Sequence, residues 1–327
     1  MHTDSKSESQ LQLSPDGKLR HLLTLKDLEK NIIQNILQQA EKFSQSKSIS
    51  DNQKRVTQDC TIANLFFEPS TRTRGSFEMA SKYLHSNIIN IDTKNSSEKK
   101  GETLLDTAKT IKSLGANALV IRHSSIGVHK EITKEIGNEC IIVNAGEGHV
   151  SHPTQGLLDL LTINQEKGRL EGLIITIVGD ISHSRVAQSA AQGLTIMGAK
   201  EIRLVSPKEF TPTKNLTSIS THYNDLSEGI ENADVVMALR IQHERIKDTK
   251  NTQNLNDYFK NYGITHEKMK LAAPDAIIMH PGPMNRDVEI ESSLADSHQS
   301  VILKQVENGV SVRMAVLFEL LNNQNNT

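Results

Sequence analysis

The stretch Glu68-Pro69-Ser70-Thr71-Arg72-Thr73-Arg74 crowds hydroxyls and guanidiniums into one short turn, the chemistry of an oxyanion site. Before it runs an apolar segment, Cys60 to Phe67, of strand length and rich in β-formers. After it, Phe77, Ala80, Tyr83 and Leu84 fall on one helical stripe. A helix that starts on Ser70 or Thr71 presents unpaired N–H groups and the positive end of its dipole, which suits a phosphate or carboxylate. The plain alternative is a capped helix carrying two solvated arginines.

Other residues extend this chemistry. Of the 37 basic residues 12 are Arg and 25 Lys, so lysine supplies the ordinary surface charge. Arginine is preferred where a planar fork must grip an oxyanion. Arg72, Arg122, Arg185 and Arg240 stand at predicted strand ends or in the turns that follow, where open α/β sheets bind ligands. His152-Pro153-Thr154-Gln155 follows a Gly-rich turn and opens a helix; its imidazole and carboxamide could bind a carbonyl oxygen and an amide, or simply cap the helix. Gly179-Asp180-Ile181-Ser182-His183-Ser184-Arg185 lacks the Gly-x-Gly-x-x-Gly of a dinucleotide turn, so no nucleotide cofactor is expected. Arg185 there reads as a carboxylate clamp or a surface residue. In Arg240-Ile241-Gln242 the period of two places both polar side chains on one strand face, a plausible second clamp. His280-Pro281-Gly282-Pro283 is a rigid turn that could present backbone carbonyls to an amine. His149 and His152 lack a clear third ligand, so no metal is expected.

The elements that position these residues alternate regularly. Strands are expected over Cys60–Phe67, Ile88–Ile91, Ala118–Ile121, Cys140–Asn144, Leu173–Val178, Glu201–Val205, Ala233–Leu239 and Ala276–Met279. Helices are expected over Leu25–Phe43, Glu102–Leu114, Ile132–Ile136, Gly156–Gln165, Val186–Met197 and Val310–Leu321, with polar connectors at Ser44–Gln58 and Asn95–Gly101. Such alternation gives an α/β protein of two domains, each a parallel sheet flanked by helices. The boundary falls near Gln165 to Gly172, and residues 1 to about 20 read as loose apart from Leu11 and Leu13. A length of 327 residues agrees with two domains. A net charge of −2 argues against partners held by bulk charge, so neither nucleic acid nor a membrane surface is expected. No apolar run reaches spanning length and the polar N-terminus is no secretory signal, which together with two free-thiol candidates, Cys60 and Cys140, points to the cytoplasm.

The Ser70-Thr71-Arg72-Thr73 turn resembles the carbamoyl-phosphate signature of the aspartate and ornithine carbamoyltransferases, with Pro69 a harmless departure. Taken in order, the motifs resemble the aspartate branch of that family over nearly the whole length. Arg240-x-Gln242 and His280-Pro281-Gly282-Pro283 favour aspartate, and the Ser-Met-Gly and His-Cys-Leu-Pro turns of the ornithine branch are absent. Asp287 departs from a glycine common in this subgroup. The resemblance implies a carbamoyltransferase fold with an N-terminal extension (1–20), a carbamoyl-phosphate-binding domain (21–165), an aspartate-binding domain (166–305) and a C-terminal helix (306–327) packing back on the first. It implies that Ser70, Thr71, Arg72, Thr73 and Ser96 hold the phosphate, that Arg72, Thr73, Arg122 and His152 surround the carbamoyl oxygen, and that Gln155 holds the carbamoyl nitrogen. Lys100, Arg185, Arg240 and Gln242 would grip aspartate, the carbonyls of Gly282 and Pro283 would orient the reacting groups, and Glu68 would position arginines. The implied reaction, a step of pyrimidine biosynthesis, is attack of the aspartate α-amine on carbamoyl phosphate, with the departing phosphate as proton acceptor and no cofactor. The implied assembly is a homotrimer whose Ser96–Lys100 loop reaches a neighbour's site; larger complexes with dihydroorotase-like or regulatory chains stay open.

Overall fold

The computed structural model describes residues 8–91, 103–241 and 253–325. They form two compact units, one gathering the described residues up to Leu161 and from Glu307 onward, the other Thr162–Val306. The chain passes between them within the helices Pro153–Lys167 and Ile302–Asn325.

The first unit is built on a four-stranded parallel sheet, with β1 at Thr61–Phe66, β2 at Asn87–Ile91, β3 at Ala118–His123 and β4 at Ile141–Glu147, in the order β2-β1-β3-β4. Crossovers between parallel strands put helices on the faces, so the central strands are buried on both sides. β4 is buried at every position. Alternate residues Ala63 and Leu65 of β1 and Leu119 and Ile121 of β3 join one apolar cluster with Ile111, Ile132 and Ile142.

The second unit repeats the plan with five parallel strands: β5 at Ile174–Val178, β6 at Glu201–Val205, β7 at Ser220–Tyr223, β8 at Val235–Ala238 and β9 at Ile277–Met279. Their order is β7-β6-β5-β8-β9. Val178, Val236 and Ile278 from three adjacent strands share a core with Ile230, Ile264 and Leu294.

Several local expectations are corrected. The first long helix begins at Lys30, not Leu25, because Asp27 takes a left-handed φ of 59° and Glu29 is extended. Leu25 and Leu28 are buried all the same, from a turn. The connector Ser44–Gln58 contains a helix, Asp51–Thr57, opened by a reciprocal capping box between Ser50 and Gln53. β7 was not expected at all, since Ser-Thr-His-Tyr lacks an apolar pattern. The terminal helix starts at Ile302, not Val310; its first turns bury Ile302, Gln305 and Asn308 but leave Leu303 81% exposed, which breaks the apolar pattern there. Residues 8–20 are tied down: buried Gln12 accepts from the Leu23 and Thr24 amides through Oε1, at 2.9 and 3.3 Å.

Both cysteines are buried; burial pushes both thiols up, Cys140 to about 12, so neither is a ready nucleophile. Among the described residues no helix is long and apolar enough to cross a membrane, and no three His, Cys, Asp or Glu side chains cluster to hold a metal ion.

Candidate active site

In the first sheet the chain lays β2 on one side of β1 and β3 and β4 on the other, so the strand order reverses between β1 and β3. Ligands of open α/β sheets bind outside the carboxyl ends of the strands at such a reversal. The segment leaving β1 carries Glu68, Ser70 and Arg72, and the end of β3 carries Arg122, which pairs in register with Phe66.

Each part is held by identifiable contacts. The helix Thr71–Tyr83 starts on Ser70, whose side chain makes no cap hydrogen bond. The N-terminal N–H groups of this helix are thus not capped by the Ser70 hydroxyl, and such N–H groups suit an anion. Thr73 is buried in the first turn, whereas Thr71 and Arg72 are exposed. Arg122 lies 3.4 Å (Nε) from Oε2 of Glu68 and donates through Nη1 to the Ala145 carbonyl at 3.2 Å. Those contacts fix the plane of its fork.

His152 is buried just before the helix Pro153–Lys167, and its carbonyl accepts from the amides of Gln155 and Gly156. Gln155 donates from Nε2 to Asp159 at 3.0 Å. Beneath them lies Arg313, 3% exposed in the terminal helix, its guanidinium 5.1 Å from the Phe77 ring centroid. It donates to the Gly309 carbonyl at 3.0 Å and to the Thr154 hydroxyl at 3.4 Å. Burial and the charge of Arg122 push Arg313 down to about 9 against the opposing pull of Asp159, so it stays charged at neutral pH. Sequence reasoning passed over Asp159 and Arg313. The signal was there: a lone charge inside an apolar run of Leu and Ile, and one inside Val-Arg-Met-Ala-Val, each demanding a partner.

The second sheet reverses between β5 and β8. The segment leaving β5 is the turn Gly179–Arg185, and the segment leaving β8 is Leu239-Arg240. These approach closely: a Cβ on Gly179, at φ 133°, would stand 3.0 Å from Cβ of Leu239. Asp180, buried, accepts from Ser182 Oγ at 3.2 Å, from the His183 amide at 3.2 Å and faces His183 Nδ1 at 2.8 Å. That turn delivers Arg185 as the first residue of the helix Arg185–Ile196. Arg240 is exposed and lies two residues past the end of β8, so strand alternation does not govern its direction. Gly282 and Pro283 follow β9, with the Gly282 amide donating to His280 Nδ1 at 2.8 Å.

Glu289, 1% exposed, joins the last two segments. It accepts from the Ile241 amide at 2.9 Å, the Asn285 amide at 2.5 Å and Asn285 Nδ2 at 2.7 Å. Burial pushes its carboxyl up; those donors and the charge of Arg240 oppose this without overcoming it. Its place was not legible in the sequence. Ser96, Lys100 and Gln242 lie outside the described residues.

Each unit thus gathers cationic and N–H donors at one sheet reversal, and each matches a family model. Residues 20–165 match the carbamoyl-phosphate-binding domain of the aspartate/ornithine carbamoyltransferases, and residues 171–320 their aspartate/ornithine-binding domain. The chain belongs to the aspartate/ornithine carbamoyltransferase family. It is 45% identical over 314 residues to the aspartate carbamoyltransferase catalytic subunit of Ruthia magnifica subsp. Calyptogena magnifica, covering 95% of this chain and 97% of that one. The aspartate transcarbamoylase of Trypanosoma cruzi, solved in complex with carbamoyl phosphate and aspartate, is similar with a TM-score of 0.81 at 28% identity, covering 93% of this chain and 97% of that one. The ornithine carbamoyltransferase of Pyrococcus furiosus scores 0.82 at 26% identity over the same shares. The carbamoyltransferase fold is therefore common to both acceptor branches, and side chains must separate them.

Proposed function

We infer that the chain transfers the carbamoyl group of carbamoyl phosphate to the α-amine of L-aspartate, giving N-carbamoyl-L-aspartate and phosphate in pyrimidine synthesis. The observation that carries this is the 45% identity to an aspartate carbamoyltransferase catalytic subunit across 95% of the chain. The first unit takes carbamoyl phosphate. Ser70, Thr71, Thr73 and Arg72 hold its phosphate at the start of the helix Thr71–Tyr83. Arg72, Thr73, Arg122 and His152 donate to the carbamoyl oxygen, and Gln155 accepts from the carbamoyl nitrogen. The second unit takes aspartate, with Arg185 and Arg240 on its carboxylates and the Gly282 and Pro283 carbonyls oriented by the turn after β9.

The amine attacks the carbonyl carbon, a tetrahedral oxyanion forms, and the C–O bond to phosphate breaks. Preorganised donors stabilise that oxyanion more than the ground-state carbonyl. Holding two anions together against their repulsion supplies much of the rest. The amine proton goes to the departing phosphate, so no protein nucleophile and no cofactor takes part. A homotrimer with Ser96 and Lys100 shared between neighbours belongs to the same proposal, as does action in the cytoplasm.

The test is product chemistry. Purified chain with ¹³C-carbamoyl phosphate and L-aspartate should release phosphate in step with labelled N-carbamoyl-L-aspartate. Phosphate release without labelled product would overturn the reaction.

A further inference from the structure

We propose that Asp159 is a positioning residue that fixes Gln155 as a hydrogen-bond acceptor toward the ligand, so that the site selects a carbamoyl group over acyl groups without an N–H. The proposal rests on the assignment of carbamoyl phosphate to the first unit.

A glutamine amide is ambivalent: one end donates, the other accepts, and an unconstrained side chain can present either. Here the choice is made from behind. Gln155 and Asp159 stand one helical turn apart on Pro153–Lys167, with Nε2 3.0 Å from the Asp159 carboxylate. Asp159 is 1% exposed, and the charge of Arg313, itself 3% exposed and bonded to the Gly309 carbonyl and the Thr154 hydroxyl, attracts it. An ionised carboxylate only accepts, and Gln155 turns its NH₂ end to Asp159. Among the described residues this is the one side-chain hydrogen bond that Gln155 makes. The end left for a ligand is Oε1, an acceptor. A carbamoyl NH₂ satisfies it; the methyl of an acetyl group, equal in size, leaves it desolvated and unmet. Sites built around such a bond reject the analogue lacking it far better than apolar pockets reject a change of size.

Asp159→Asn should remove this preference. An asparagine NH₂ can donate to Gln155, which the carboxylate could not. Gln155 is then able to turn its oxygen inward and present its own NH₂ to the ligand, a donor facing the carbamoyl NH₂.

The experiment uses the full chain and two probes, carbamoyl phosphate as substrate and acetyl phosphate as competing ligand. In Asp159→Asn, kcat/KM for carbamoyl phosphate should fall by about tenfold or more, the loss of one buried hydrogen bond. The inhibition constant of acetyl phosphate should stay within about twofold, because it makes no bond to Gln155. Gln155→Met removes both ends of the amide at similar size and should lose the same discrimination with Asp159 intact. Adding Asp159→Asn to Gln155→Met should then change the ratio no further. Equal loss for both ligands, or an undiminished effect of Asp159→Asn in the Gln155→Met chain, would overturn the proposal. If the unaltered chain fails to turn over carbamoyl phosphate at all, the assignment of the first unit falls, and the proposal with it.

Discussion

Replacing Glu289 by glutamine tests how the second unit holds the arginine assigned to aspartate. The carboxylate receives three N–H groups, two on Oε1 from Ile241 and the Asn285 side chain, one on Oε2 from the Asn285 amide. Glutamine keeps one acceptor. With its oxygen in the Oε1 position, its NH₂ confronts the Asn285 amide, donor against donor, in a site 1% exposed. Losing one hydrogen bond to a charged group, with the donor left buried, costs about 1.5–3 kcal/mol. Ile241 directly follows Arg240, and Asn285 closes the turn that follows Gly282 and Pro283, so both shift together. We expect kcat/KM for aspartate to fall about 10- to 100-fold, while KM for carbamoyl phosphate changes by less than about twofold. Steady-state kinetics with each substrate varied, alongside a thermal melt, reads this out. A lowered Tm with unchanged aspartate kinetics would refute the reasoning, because Glu289 would then serve the fold alone.

Arg72→Ala should lower turnover by roughly a hundred- to a thousand-fold, the usual result of removing one oxyanion donor, and a residual above about a tenth would sink that role. Lys100→Ala should be similarly inactive. Trimers reassembled from the two variants should regain activity, since each hybrid holds one site with both residues intact; hybrids seen by native mass spectrometry without regained activity would refute shared sites. Stability should fall on the acid side because of His21, buried with Nδ1 accepting the Ile142 amide at 3.1 Å. Burial, helped by the Arg20 charge and opposed by a bond to Gly137, lowers the imidazole from 6.5 to about 4. The unfolded chain takes the proton first, so the contribution is full above about pH 6.5 and about 3 kcal/mol is lost as pH falls to about 4. Denaturant midpoints across that window should fall less steeply in His21→Asn; identical slopes would contradict it.

What was legible in the sequence is what local pattern encodes. β1, the anion turn and the helix after it announce themselves within twenty-odd residues, because an apolar run, an N-cap and a helical stripe are each short-range signals. The Ser50–Gln53 capping box was equally local but was overlooked in a polar connector. β7 has no such signal; its four residues gain strand geometry from pairing with β6. The bonds of Arg313 to the Thr154 hydroxyl and of the Ile241 amide to Glu289 join residues far apart in the chain, and no spacing rule reports them. The position of Arg122 beside Glu68 likewise needed the strand order, which places β3 next to β1.

The fold is shared with an ornithine enzyme at a TM-score of 0.82, so the acceptor is the most direct test of the account. With saturating carbamoyl phosphate, kcat/KM should be measured for L-aspartate, L-ornithine and related amines. With Arg185 and Arg240 on the acceptor's carboxylates, as proposed, a second carboxylate is favoured and ornithine's side-chain ammonium would meet them as a like charge. Aspartate should therefore exceed every other acceptor by at least about a hundredfold, with N-carbamoyl-L-aspartate as product. Carbamoylation of ornithine at a comparable or greater rate would contradict the account.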